Sequence, residues 1–187
     1  MTVWIILGIL VVGIVWIISM YNSLVTLRNQ VTNGWKQIDV QLKRRHDLIP
    51  NLVNTVKGIM QFEQETLQKV IEARSAAMGA HGVKDSAAKE SALSDAVSKF
   101  MVVVEQYPQL RSSENVKSLQ EELTSTENKI SFARQFYNDI ATKFNTAQQV
   151  FPGVVIAGMF NFQPAELFEI TEAAERNVPQ VDLTLRK

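Results

Sequence analysis

Residues 1–27 carry no charged side chain, and residues 3–20 form an almost unbroken apolar run, Val-Trp-Ile-Ile-Leu-Gly-Ile-Leu-Val-Val-Gly-Ile-Val-Trp-Ile-Ile-Ser-Met. A helix rises about 1.5 Å per residue, so roughly 18–20 residues cross the ~30 Å hydrocarbon core of a bilayer. The run therefore predicts a transmembrane anchor over residues 1–23. The rival reading is a cleaved secretory signal, which needs a basic stretch before the apolar run and a small-residue cleavage site after it. No Lys or Arg precedes the run here, and no alanine occurs before Ala73. The sequence favours the uncleaved anchor.

Residues 24–187 then make one domain of ordinary size, long enough for a real core. Nineteen basic and nineteen acidic side chains cancel, so no global field recruits nucleic acid or an acidic substrate. The chain has no cysteine, which excludes disulfides, thiolate metal sites, a Cys nucleophile and a lipidated N-terminal cysteine.

The pattern beyond the anchor is helical. Leu24, Leu27, Val31, Trp35, Ile38 and Leu42, then Ile49, Leu52, Val56, Met60, Leu67 and Val70, recur in steps of three and four that mark one helix face. The register continues from the anchor with no Gly/Pro-rich linker. It predicts one long helix ending near Met78, kinked or briefly broken near His46–Pro50 by the interior proline. A second helix is expected from Asp85 or Ser86 to about Gln106, ended by Tyr107-Pro108. A third starts near Ser112–Ser113 and carries the cleanest stripe: Val116, Leu119, Leu123, Thr126, Ile130, Ala133, Tyr137, Ile140, Phe144, Ala147 and Phe151. A short turn at 153–159, a fourth helix at 164–176 and an extended tail from Val178 to Lys187 follow. Strand signals are absent elsewhere. The fold class is all-α, an N-terminal transmembrane helix continuing into an antiparallel bundle of about four long helices.

Length arithmetic then singles out a stripe. A second helix turning back at residue 79 covers only the distal part of a first helix about 75 Å long, and a third helix starting after it runs away from the membrane. Val31, Trp35, Ile38 and Leu42 are left just above the bilayer without a partner in their own chain. They are the candidate oligomer interface, unless the C-terminal segment folds back that far.

Several stretches resemble the LemA family. They are Tyr21-Asn22-Ser23-Leu24-Val25-Thr26-Leu27-Arg28-Asn29, the long block from Trp35 to Val53 that includes Lys43-Arg44-Arg45-His46-Asp47-Leu48-Ile49-Pro50-Asn51-Leu52-Val53, and Glu72-Ala73-Arg74. Leu119-Gln120-Glu121-Glu122-Leu123, Thr126-Glu127-Asn128-Lys129-Ile130, Ala133-Arg134-Gln135-Phe136-Tyr137-Asn138 and Phe151-Pro152 complete the match. The resemblance implies a bacterial single-pass protein of the inner (cell) membrane with a helical-bundle domain. It implies related proteins acting in magnetosome membrane formation, and family members encoded near membrane zinc proteases. It carries over no catalytic activity and no functional site. Some family members start with a lipidated cysteine, which this chain lacks.

The chemistry-bearing residues have weak constellations. Asp39 and His46 share a helix face while Asp47 points elsewhere, and one His with one carboxylate makes a poor metal site. No nucleophile elbow or Gly-rich phosphate loop exists, so no catalytic residue and no cofactor is assigned. His81 is expected in a solvated turn. Lys43-Arg44-Arg45 lies about 30 Å above the membrane end, several Debye lengths away, so only Arg28 is well placed for lipid. Arg45 falls in the stripe between Leu42 and Ile49, and an Arg there needs a carboxylate, with Glu127 and Glu169 the candidates. Asn22, Asn29, Asn33, Asn51 and Asn54 are read equally as register-setting or solvated, and Phe151, Phe160, Phe162 and Phe168 as core, with a hydrophobic docking surface for a partner as the alternative. Arg28, Lys36, Lys43, Arg44 and Arg45 all follow the anchor, which places the soluble domain in the cytoplasm. The function expected is a non-enzymatic, self-associating membrane scaffold, with an accessory subunit of a membrane enzyme such as a protease as the alternative. The expected partners are the bilayer, further copies of the chain and a membrane protein.

Overall fold

In the computed structural model, which describes residues 1–59 and 64–169, one helix, α1, runs from Thr2 to Ile59. It is followed by α2 (Gln64–Met78), α3 (Gly82–Gln106), the short α4 (Pro108–Arg111), α5 (Glu114–Gln149) and α6 (Gly153–Met159). No strand occurs among the described residues. The fold is all-α, as the periodicity requires. No residue in the apolar window of α1 is buried, which fits a lipid-facing span.

Pro50 does not break α1. Its missing N–H orphans the carbonyl of His46 one turn earlier, and Nε of Arg74 donates to that oxygen at 2.7 Å. The same bond shows that the chain reverses between α1 and α2. On a straight helix Arg74 would lie about 40 Å beyond His46. The expectation of one helix reaching Met78 is therefore corrected: α2 doubles back along α1. The apolar stripe crosses the reversal because both arms face one core, where Leu48, Ile49, Leu52, Val53 and Val56 of α1 meet Leu67 and Val70 of α2. Met60, which the stripe includes, lies outside the described residues.

That reversal resets every later element. Helix α3 starts level with Leu42, where Ala87 joins Ile38 and Leu42 in one cluster, and runs away from the membrane. Leu93, Phe100 and Val104 fill the distal core with Leu110, Val116 and Leu123. Ser113 caps α5, its Oγ accepting from the N–H of Val116. Helix α5 then returns along the whole of α1, from Val116 in the distal core to Phe144 beside Leu24 and Leu27. Ile130, Tyr137 and Phe144 are buried, as their place at the centre of the α5 stripe requires. Phe151, at the end of that stripe, is 81% exposed.

The stripe assigned to an oligomer interface is covered from within. Ile38 is 0% and Leu42 5% exposed, and Val31 and Trp35 pack partly buried against the same cluster. Two things reach them. One is α5, whose Tyr137 ring lies 5.8 Å from that of Trp35. The other is the segment after α6, whose Phe168 ring is 6.1 Å from Trp35. The expectation failed because it sent the third helix outward, when the hairpin of α1 and α2 sends it home.

Residues 162–169 are not helical, so the helix expected at 164–176 is absent over its first six positions; residues 170–176 and the tail from Val178 lie outside the described residues. The segment is instead an extended strap. Asn145 of α5 holds both backbone groups of Ala165, accepting its N–H at 2.7 Å and donating to its carbonyl at 2.9 Å. Asn138 does the same for Phe168, at 2.8 and 3.0 Å. Two helical turns rise about 10 Å, and three extended residues span about the same, so the two ladders stay in register. Tyr137 adds a bond from its hydroxyl to the Glu166 carbonyl. The expected turn at 153–159 is α6, which tucks Ile156 and Ala157 against Leu24 and Leu27. A Cβ on Gly153 would collide with the carbonyl of Ala147, so only glycine lets α6 fold so closely onto the end of α5.

Candidate functional site

The densest polar chemistry among the described residues is a charged knot between α1, α3 and α5. Arg45 is 2% exposed. Its Nη2 pairs with Oε2 of Glu90, itself 1% exposed, and its Nη1 with Oε2 of Glu127 at 2.7 Å. Nη1 also donates to Ser94 Oγ at 2.8 Å, and Nη2 to the Glu90 carbonyl at 3.2 Å. His46 Nε2 meets the other Glu90 oxygen at 2.8 Å. Of the two carboxylates expected to serve Arg45, Glu127 does so, and exposed Glu169 does not.

Glu90 escaped the sequence reading. A signal existed: Ser86, Glu90, Leu93, Val97, Phe100 and Val104 run in helical steps, which puts a carboxylate in the apolar stripe of α3. Burial pushes the Glu90 carboxyl up, but the His46 hydrogen bond and the Arg45 charge outweigh it, and its pKa falls below the ordinary carboxylate value. One guanidinium thus faces two carboxylates, one of them without solvent. A buried pair of this kind is costly to desolvate and costlier to break, and here it joins three helices.

As a reaction centre the knot is poorly equipped. Ser94 lies 3.5 Å from Glu127 Oε1 but touches Arg45, which does not take its proton. A groove of about 540 Å³ opens over Arg45, Ser94, Ser98, Thr124 and Glu127. Its one guanidinium is already engaged by two carboxylates, which leaves no charge to hold an anion. Asp39 and Asp47 are exposed and do not converge on His46. No group of three or more His, Asp or Glu suited to a metal ion occurs among the described residues. His81 is exposed, its N–H donating to Asp85. The five asparagines of α1 all face out.

Two surfaces remain. Val40, Phe132 and Phe136 are 62, 73 and 47% exposed, and they line a groove of about 560 Å³ between α1 and α5, with Lys36 and Lys129 beside them. The second surrounds α6 at the foot of the bundle. Phe151 and Phe160, expected in the core, are exposed there, while Phe162 is half-buried and Phe168 buried. Arg28 stacks over the Phe162 ring at 5.3 Å.

A sequence model described as the LemA family matches residues 34–183. Protein LemA of Metamycoplasma hominis is 26% identical over 163 residues, which cover 87% of this chain and 74% of that protein. Magnetosome protein MamQ of Magnetospirillum gryphiswaldense is 23% identical over 200 residues, covering 92% and 74%. Magnetosome protein MamQ 1 of Paramagnetospirillum magneticum is 23% identical over 181 residues, covering 83% of this chain and 66% of its own length. None of the three is named as an enzyme.

Proposed function

Because this chain belongs to the LemA family, and is a membrane-associated helical protein, we propose that it works as an anchored scaffold: it self-associates and organises the bilayer or recruits partners, and converts no substrate. One observation carries this reading. The exposed apolar span and the rod at the centre of the bundle are a single helix, Thr2–Ile59, with no linker between them. A flexible tether would suit a domain that searches for a soluble ligand. A continuous helix fixes a surface in height and angle relative to its own span, which suits side-by-side contact.

The charged knot fits this use, since its ion pairs align helices rather than face a substrate. The lateral contact in this reading is the α1/α5 groove with Val40, Phe132 and Phe136, in place of the covered stripe at Val31, Trp35, Ile38 and Leu42. Anchoring in two dimensions raises effective concentration, so a modest patch suffices, and copies rising from one membrane face can close into rings. The resemblance to magnetosome proteins supports a role in organising membrane. The basic residues that follow the span support a cytoplasmic bundle through the positive-inside tendency. Mass measurement of the full chain in mild detergent is the test. Homo-oligomers that dissociate in the Phe132→Asp, Phe136→Ser variant support the scaffold. A defined hetero-complex with a membrane enzyme supports the accessory-subunit reading instead, and a lone monomer overturns self-association.

A further inference from the structure

We propose that the corner joining α5 to α6 is a second membrane contact, in which Phe151, Val154, Val155, Met159 and Phe160 sit in the bilayer leaflet nearest the bundle. Their exposures are 81, 46, 50, 69 and 50%. Elsewhere among the described residues of the bundle, large exposed apolar side chains are scattered singly or lie in the α1/α5 groove, which is ordinary for a surface in water. Five within ten residues are not. The inward face of α6 is accounted for, because Gly153, Ile156 and Ala157 are buried against α1 and α5. Among the described residues, the outward side chains Val154 and Val155 of α6 stay exposed.

Position identifies the occupant. Pro152 and Gly153 share a groove with Trp16, Ser19, Met20, Ser23 and Leu24, the upper end of the apolar span. The Phe160 ring lies 4.6 Å from that of Tyr21. The corner is thus beside the helix at the depth where it leaves the bilayer. Charge gives an independent argument. No charged side chain occurs before Arg28, and none between Lys143 and Glu166. These two stretches, remote in sequence, meet where Leu24 and Leu27 pack on Phe144 and Ile156. The two stretches that meet at this level thus carry no charged side chain. Arg28, over the Phe162 ring, stands at its upper edge. An interfacial element with an apolar face buries it about 5–10 Å into the headgroup and acyl boundary, and aromatic rings favour that zone. A soluble partner would have no reason to match a charge-free band continuous with a span. Lipid does.

The inference rests on the anchor reading, and single-cysteine probes separate the two, since the chain has no cysteine of its own. Full-length Val155→Cys, Val154→Cys, Ile18→Cys and Ser125→Cys variants, each carrying an environment-sensitive fluorophore, are reconstituted in phosphatidylethanolamine/phosphatidylglycerol vesicles. Quenching is read from doxyl-labelled lipid and from aqueous iodide. The expected result is lipid quenching at Val155 and Val154 comparable to Ile18, with iodide quenching several-fold weaker than at Ser125. Iodide access at Val155 equal to Ser125, with Ile18 still quenched by lipid, overturns the second contact and keeps the anchor. Shielding of Val155 from both quenchers means protein covers the corner, which also overturns it. If Ile18 escapes lipid quenching, the anchor and the second contact both fall.

Discussion

Arg74 completes the helical turn that Pro50 leaves open: its Nε donates at 2.7 Å to the carbonyl of His46, four residues before the proline. One side chain thus restores the lost hydrogen bond and ties α2 to α1. Replacing Arg74 by Met should cost about 1–3 kcal/mol, the penalty for an acceptor left without its donor in a part-buried site. In a Pro50→Ala background the amide of residue 50 can bond the same carbonyl, and the Arg74→Met cost should shrink below about 1 kcal/mol. Urea denaturation of the four proteins checks the cycle; equal costs in both backgrounds would remove Arg74 from this role.

The two carboxylates on Arg45 should differ in weight. Glu90→Gln leaves a fully buried pair broken and should cost about 3–5 kcal/mol. Glu127 has a side chain 45% exposed, so solvent screens its contribution and Glu127→Gln should cost no more than about 1 kcal/mol. Thermal unfolding distinguishes them, and a reversed order would mean the knot is held from α5.

The Glu90 carboxyl also sets an acid dependence. Its folded pKa lies below the unfolded value, so its stabilisation is complete above the ordinary carboxylate range and is lost as pH falls through the folded pKa. Wild type should therefore lose more stability between neutral and strongly acidic pH than Glu90→Gln, measured by denaturation at each pH. Parallel pH profiles would show that Glu90 keeps an ordinary affinity for its proton.

Removing the amide ladders should free the strap. Asn138→Ala with Asn145→Ala takes away four hydrogen bonds to the backbone of Ala165 and Phe168, at a net cost of about 2–5 kcal/mol. Trp35 then loses its cover. In a background with Trp4 and Trp16 replaced by Phe, its emission should shift to the red. An unchanged spectrum would mean that ring packing alone holds the segment.

The positive-inside tendency of Arg28, Lys36, Lys43, Arg44 and Arg45 predicts a cytoplasmic bundle. A cysteine at exposed Ser125 should resist an impermeant reagent on intact spheroplasts and react after lysis. Labelling of intact spheroplasts would put the bundle on the outer face.

The α5 stripe and the Ser113 cap were legible because one helix buries one face along its whole length. The turn between α1 and α2 was hidden by that same rule, since Val56, Leu67 and Val70 keep a helical rhythm while belonging to two antiparallel arms on one core. Arg45's need for a carboxylate could be read from its place between Leu42 and Ile49, but not its depth, which depends on α3 arriving beside it. The strap was misread because Pro164 near Glu166 imitates a helix start. The bonds that make it extended come from Asn138 and Asn145, and a helix surface in sequence gives no sign of which backbone it will hold.

The linker-free passage of α1 from span to bundle makes the protein a lever. Between Leu24 and Ile59 the helix is about 54 Å long, so a 10° change in the slope of the span swings its far end by about 9 Å. Spans lean to match the local hydrocarbon thickness. The distal end of the bundle thus moves with any change in the slope of the span.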